Sequence, residues 1–127
     1  MITLTTWVAV VIGAAVGAPL RFVVDRGVTG RVASTRDVGE FPWGLLVVNG
    51  VGSAIAGVVL ATTTGDLRVL LLVGFCGAFT TFSGFAWEAD RLWSVARDAF
   101  WLALVVMPAA CVVLFLGAWR LSVLIVG

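Results

Sequence analysis

The chain contains no lysine, no histidine and no tyrosine, and charged residues make up only 12% of its 127 positions. Soluble domains carry about a quarter of their residues as charges. A soluble fold this poor in polar side chains could not cover its own surface, so the solvent around most of the chain is the lipid bilayer. Without histidine, and with its acids scattered, the chain has few tools for acid–base or metal chemistry and is not read as an enzyme. A formal net charge of +1 provides no basic field, which excludes nucleic acid as a partner. The two cysteines, Cys76 and Cys111, lie inside apolar runs and read as buried free thiols rather than as a zinc site.

What is present is hydrophobic residues, 61% of the total. Uncharged runs cover Met1 to Leu20, Phe41 to Gly65, Val69 to Trp87 and Ala99 to Trp119. A helix crosses a bilayer with about 20 apolar residues, so each run is long enough. The runs are continuously apolar and lack period-2 alternation, which favours helices over barrel strands. The expectation is an all-α membrane protein, a single domain over residues 1–127 with four transmembrane helices. The first run lacks a positive leading region and reads as a retained helix, not a signal peptide.

Helix 1 is expected to end near Pro19 and Leu20, with residues 25–40 as the longest polar connection. Gly13 and Gly17, with Ala14 and Ala18 on the neighbouring row, form a small-xxx-small pattern that lets another backbone come close. Phe41-Pro42-Trp43 opens helix 2, whose interior holds the polar, small stretch Asn49-Gly50-Val51-Gly52-Ser53. Thr62 to Asp66 turns into helix 3, and helix 4 starts near Arg97 with a kink expected at Pro108. Trp93, Trp101 and Trp119 read as interfacial anchors. Arg26, Arg31, Arg36, Arg91 and Arg97 fall on one side and only Arg68 and Arg120 on the other. By the positive-inside rule both termini lie outside the cytoplasm.

The third run carries the chemistry. Residues 74–85 read Gly-Phe-Cys-Gly-Ala-Phe-Thr-Thr-Phe-Ser-Gly-Phe, which is a poor continuous helix. The helix is expected to break across Gly77 to Thr81, with Gly74 and Gly77 bracketing the place where hydrogen bonds are given up. Freed carbonyls in a medium without water need partners, and a weakly charged cation such as sodium or potassium supplies one. Phe82 and Phe85, three apart, share a face. On spacing alone they are core packing; alternatively their positive ring edges meet a small, dehydrated anion. Thr80, Thr81 and Ser83 either bond back to the preceding turn or replace an anion's hydration shell. Asn49 is either glue between helices or a pore-lining donor. Arg21 either snorkels or draws anions to a mouth.

These residues resemble the Fluc/CrcB family of bacterial fluoride channels. Gly74-x-x-Gly77-x-x-Thr80-Thr81-Phe82-Ser83-x-Phe85 matches the family's helix-3 signature. Gly17-x-x-x-Arg21 and Trp43-Gly44-x-x-x-x-Asn49-x-x-Gly52-Ser53 match its elements in helices 1 and 2. The resemblance implies an antiparallel dimer in the bacterial inner membrane with two fluoride pathways, through which cytosolic fluoride leaves passively. It implies a structural sodium ion, not transported, held by the backbone carbonyls of Gly77 and Thr80. It further implies that Asn49, Phe82, Ser83 and Phe85 line the pathway, with Arg21, Gly74 and Thr81 supporting it. Two departures stand out: Gly84 occupies a position often hydroxylated in the family, and helix 4 has neither tyrosine nor serine between Ala99 and Trp119. With the arginine bias, they point to a heterodimer with a paralogous subunit as an alternative to a homodimer.

The alternative by shape is a small multidrug-resistance-type exporter, also built from four short helices. Proton-coupled export of cations needs a titratable carboxylate within helix 1, and Met1 to Leu20 contains none.

Overall fold

Long apolar segments without water to satisfy their peptide groups have one local solution here, the helix. The computed structural model describes residues 3–33 and 40–126, and among them there are four helical spans long and apolar enough to cross a membrane. The first is α1 (Leu4–Ala33), the second α2 (Trp43–Thr62) and the last α6 (Arg97–Val126). The third is interrupted. It comprises α3 (Gly65–Arg68), a wider π-helical segment (Val69–Cys76), the single turn α4 (Gly77–Phe79) and, after a break, α5 (Phe82–Val95).

Helix 1 was expected to end near Leu20, but α1 continues to Ala33 with Pro19 inside it. Charges mark where the apolar span ends, not where the helix must. Beyond Leu20 the helix carries its own i,i+4 support, with the Arg26 guanidinium 5.3 Å from the centroid of the Phe22 ring. At 1.5 Å per residue, a helix of this length spans about 45 Å, longer than the ~30 Å hydrocarbon core. The polar connection therefore does not start at residue 25; its remainder, 34–39, lies outside the described residues. Pro108 is likewise carried inside α6.

The break is narrower than expected and lies after the glycines. Gly77 is in right-handed helical conformation, whereas Thr80 (φ −79°, ψ 160°) and Thr81 (φ −150°, ψ 122°) are extended. Gly74 and Gly77 do not bracket it. Gly74 is a contact residue: a Cβ there would stand 2.8 Å from the Val10 carbonyl oxygen and 3.1 Å from the Gly13 Cα. From the other side, a Cβ at Gly17 would sit 2.5 Å from the Phe75 carbonyl oxygen. The small-residue row of α1 thus meets the backbone of the π segment directly, as its spacing anticipated.

The break also redirects the chain. The first half of the third span packs on α1 and α2, and α5 packs on α6, which in turn lies along α2. Leu45, Leu92, Ala103 and Met107 form a buried cluster joining α2, α5 and α6, with Phe85 against it. Arg68 closes the end of α2, donating to the carbonyls of Thr63 (Nε, 2.7 Å) and Leu60 (Nη2, 3.1 Å). At the other end Arg91 donates to Glu88 Oε2 (2.9 Å) and Glu40 Oε2 (2.9 Å).

Candidate functional site

The interruption is held from α2. Asn49 donates from Nδ2 to the Thr81 carbonyl (3.1 Å), while its Oδ1 accepts the Thr81 N–H (2.8 Å). One side-chain amide thereby pairs both polar groups of a single residue, as a neighbouring strand would. Gly52, one turn further along α2, leaves the room: a Cβ there would run into Thr80 Cγ2 and approach the Phe79 ring to 3.1 Å. Asn49 thus bridges two helices and also lines a cleft.

The break releases the carbonyls from Gly77 to Thr80, and for two of them the diverted donor can be followed. In an uninterrupted helix the Thr81 amide would bond to the Gly77 carbonyl and the Gly84 amide to the Thr80 carbonyl. Here the Thr81 N–H goes to Asn49, and the Gly84 N–H goes to Thr81 Oγ1 (3.0 Å), which caps α5. The Gly77 and Thr80 carbonyls are thus the two from which a helical donor has been taken by a side chain. Thr80 is itself anchored, its N–H and Oγ1 both donating to the Cys76 carbonyl (2.9 and 2.8 Å). Among the described residues no group of three or more His, Cys, Asp or Glu could hold a metal ion. Neutral carbonyl oxygens fit a hard, singly charged ion such as sodium.

The same interruption places two helix ends in mid-span. The α4 end presents carbonyls, with partial negative charge; the α5 start presents N–H groups, with partial positive charge. Beside this junction lies a cleft of about 270 Å³ lined by Asn49, Ser53, Thr80, Thr81, Phe82 and Phe85, with Met107, Pro108 and Cys111 of α6 opposite. The Phe82 and Phe85 rings are 5.9 Å apart and tilted by 52°. Phe82 is 79% exposed, whereas Phe85 is half-buried against the apolar cluster. Ser83 is exposed, its Oγ 3.1 Å from Thr81 Oγ1. A second cleft of about 440 Å³ adjoins the first and is lined by Gly77, Thr80, Ser53, Cys76 and Cys111 among others.

The structure thus brings together Asn49, Thr80, Thr81, Phe82, Ser83 and Phe85, with Gly77 next to them. Gly74 stands apart at the α1 crossing, and Arg21 is half-buried on α1. Ser53 was noted in the sequence as part of a small polar stretch but not as a site residue, although it lines both clefts. Its position four after Asn49, on the same helix face, was the available signal. Met107, Pro108 and Cys111 carried none, since an apolar wall looks like any other apolar run.

Residues 8–121 match the family described as CrcB-like protein, Camphor Resistance (CrcB). The chain is 41% identical over 102 residues to "Fluoride-specific ion channel FluC 1" of Nocardia farcinica, covering 80% of this chain and 68% of that one. It is 34% identical over 120 residues to "Fluoride-specific ion channel FluC 1" of Streptomyces avermitilis, covering 89% and 93%. With "Fluoride-specific ion channel FluC" of Paramagnetospirillum magneticum it shares 37% identity over 106 residues, 77% of each.

Proposed function

The chain belongs to the CrcB-like protein family, and from that premise we propose that it is a fluoride channel subunit which lets cytosolic fluoride leave the cell passively. It is a multi-pass membrane protein and not an enzyme. The observation that carries the reading is the mid-span interruption at Thr80–Thr81, bridged by Asn49 and opening on an aromatic-lined cleft. Fluoride must shed water to pass a narrow route, so the route has to replace that hydration. The Thr81 and Ser83 hydroxyls, bonded to each other, leave one O–H to donate, and the second N–H of Asn49 Nδ2 remains for an ion in the cleft. Phe82 and Phe85 supply positive ring edges without binding so tightly that the ion cannot leave. The start of α5 adds the positive end of a helix dipole at membrane mid-depth. Arg21 would draw anions to the mouth.

The Gly77 and Thr80 carbonyls would hold a structural sodium ion; when bound, it supplies a fixed positive charge that satisfies oxygens no helix donor reaches. Assembly is an antiparallel dimer in the bacterial inner membrane, either of two copies or with a paralogous subunit. Exposed Phe82 then has a partner surface to face. The test is fluoride efflux from liposomes. F82I and F85I should each lower flux by tenfold or more while the assembly persists on a sizing column; unchanged flux would make both rings packing residues. Removing sodium from both sides should abolish flux, and indifference to sodium would remove the metal from the mechanism.

A further inference from the structure

The two clefts meet at three residues. Ser53 of α2, Thr80 of the interruption and Cys111 of α6 each line both, and every other lining residue belongs to one cleft alone. Glycines set how closely the walls approach there. A Cβ at Gly52 would run into Thr80 Cγ2, so the interruption lies against the residue before Ser53. From the other side, a Cβ at Gly50 would stand 3.0 Å from Leu114 Cδ1, and one at Gly57 would run into the Phe115 carbonyl oxygen. Ser53 therefore lies on the stretch of α2 that both walls touch, at the neck between the clefts.

Of the three, Ser53 alone keeps a strong donor free. Thr80 Oγ1 commits its proton to the Cys76 carbonyl (2.8 Å), and a thiol such as Cys111 is a weak donor. Hydroxyls on helices can bond back to the carbonyl four residues earlier, as Thr62 does to Val58 (2.8 Å) and Thr63 to Val59 (2.7 Å). Ser53 Oγ does not, and has no hydrogen-bond partner among the described residues. Nor is it sealed away, since no fully buried side-chain oxygen or nitrogen among them lacks a partner. The hydroxyl thus opens on the clefts, four residues after Asn49 on the same helix face. A polar group at this depth is costly when unpaired, and an anion stripped of water needs such a donor. Resting on the channel reading, we propose that Ser53 is a further residue of the anion route, its hydroxyl donating to fluoride as the ion passes from one cleft to the other. The route then does not end at the phenylalanine pair but runs past Ser53 into the larger cleft.

The test is fluoride efflux, in reductant, from liposomes holding the purified chain alone or together with a paralogous subunit. Ser53→Ala keeps the space and loses the donor; with one hydrogen bond to an ion gone, flux should fall by about tenfold or more. Ser53→Cys nearly keeps the volume and offers a weaker donor, so its flux should lie between the two. Because Ser53 bonds to nothing else in the fold, both variants should match the parent chain in melting temperature and in elution on a sizing column. Undiminished flux in Ser53→Ala, or Ser53→Cys no better than Ser53→Ala, would overturn the assignment. A lower melting temperature or a dissociated assembly in Ser53→Ala would overturn it too, making the hydroxyl a packing contact between subunits. A parent chain without flux in either setting would instead fail the channel reading, and the role of Ser53 with it; flux in the parent that Ser53→Ala leaves intact fails the role of Ser53 alone.

Discussion

At the scale of single residues, the decisive contact is between Asn49 and Thr81. The sequence did not show which residue Asn49 would bridge, because that depends on which peptide group loses its helical partner, and folding sets it. Asn49→Ala should remove both bonds and leave the Thr81 N–H and carbonyl without partners, costing about 1–3 kcal/mol. Fluoride flux and thermal stability should fall together, and full stability in the variant would mean the bridge is dispensable. Asn49→Asp keeps the acceptor but loses the donor and adds negative charge beside the route; it should suppress anion flux more than the alanine variant does. Thr81→Ala removes the α5 cap, worth about 1 kcal/mol, which denaturation in detergent can measure. Phe82 and Phe85 were legible as a pair from their spacing, but not that one would be exposed and the other half-buried. That division comes from the α2–α5–α6 cluster, which no local pattern encodes.

At the scale of elements, the spans were readable from charge-free length, because membrane insertion depends on that property. Their ends were less readable. α1 runs past its first charged residues to Ala33, since arginine and aspartate at the bilayer surface are compatible with further helical turns. Gly74 and Gly77 look equivalent in sequence, and the structure separates them. Gly74 is pressed against α1, whereas a Cβ at Gly77 would find its nearest neighbour 4.0 Å away. Gly74→Ala should therefore cost about 1–3 kcal/mol through overpacking. Gly77→Ala should be close to neutral for stability. Comparing the two melting temperatures checks this, and equal losses would contradict the distinction drawn here between crossing and junction.

For the whole molecule, large apolar side chains such as Leu4 and Leu124, each 80% exposed, cover the outside, so lipid or a second subunit must surround it. The arginine distribution predicts one orientation. Reporter fusions at the C-terminus should report the external side alone; a heterodimer predicts weak efflux from the purified chain on its own, restored by a paralogous subunit of reversed orientation, and a homodimer predicts full efflux. Robust efflux from the lone chain would defeat the heterodimer. The oligomer could not be read from pattern alone, because a partner surface and a lipid surface are both apolar. The clamp at Arg91 bears on when that orientation is decided. In the finished fold this arginine is already matched by Glu88 and Glu40. In the sequence that side holds as many acids (Asp25, Asp37, Glu40, Glu88, Asp90 and Asp98) as arginines (Arg21, Arg26, Arg31, Arg36, Arg91 and Arg97), so the mature protein has no net charge excess there with which to hold itself upright. Topogenesis must be settled while the nascent chain threads into the bilayer, where carboxylates count for little; afterwards only the barrier to pulling charges through lipid keeps it from turning over.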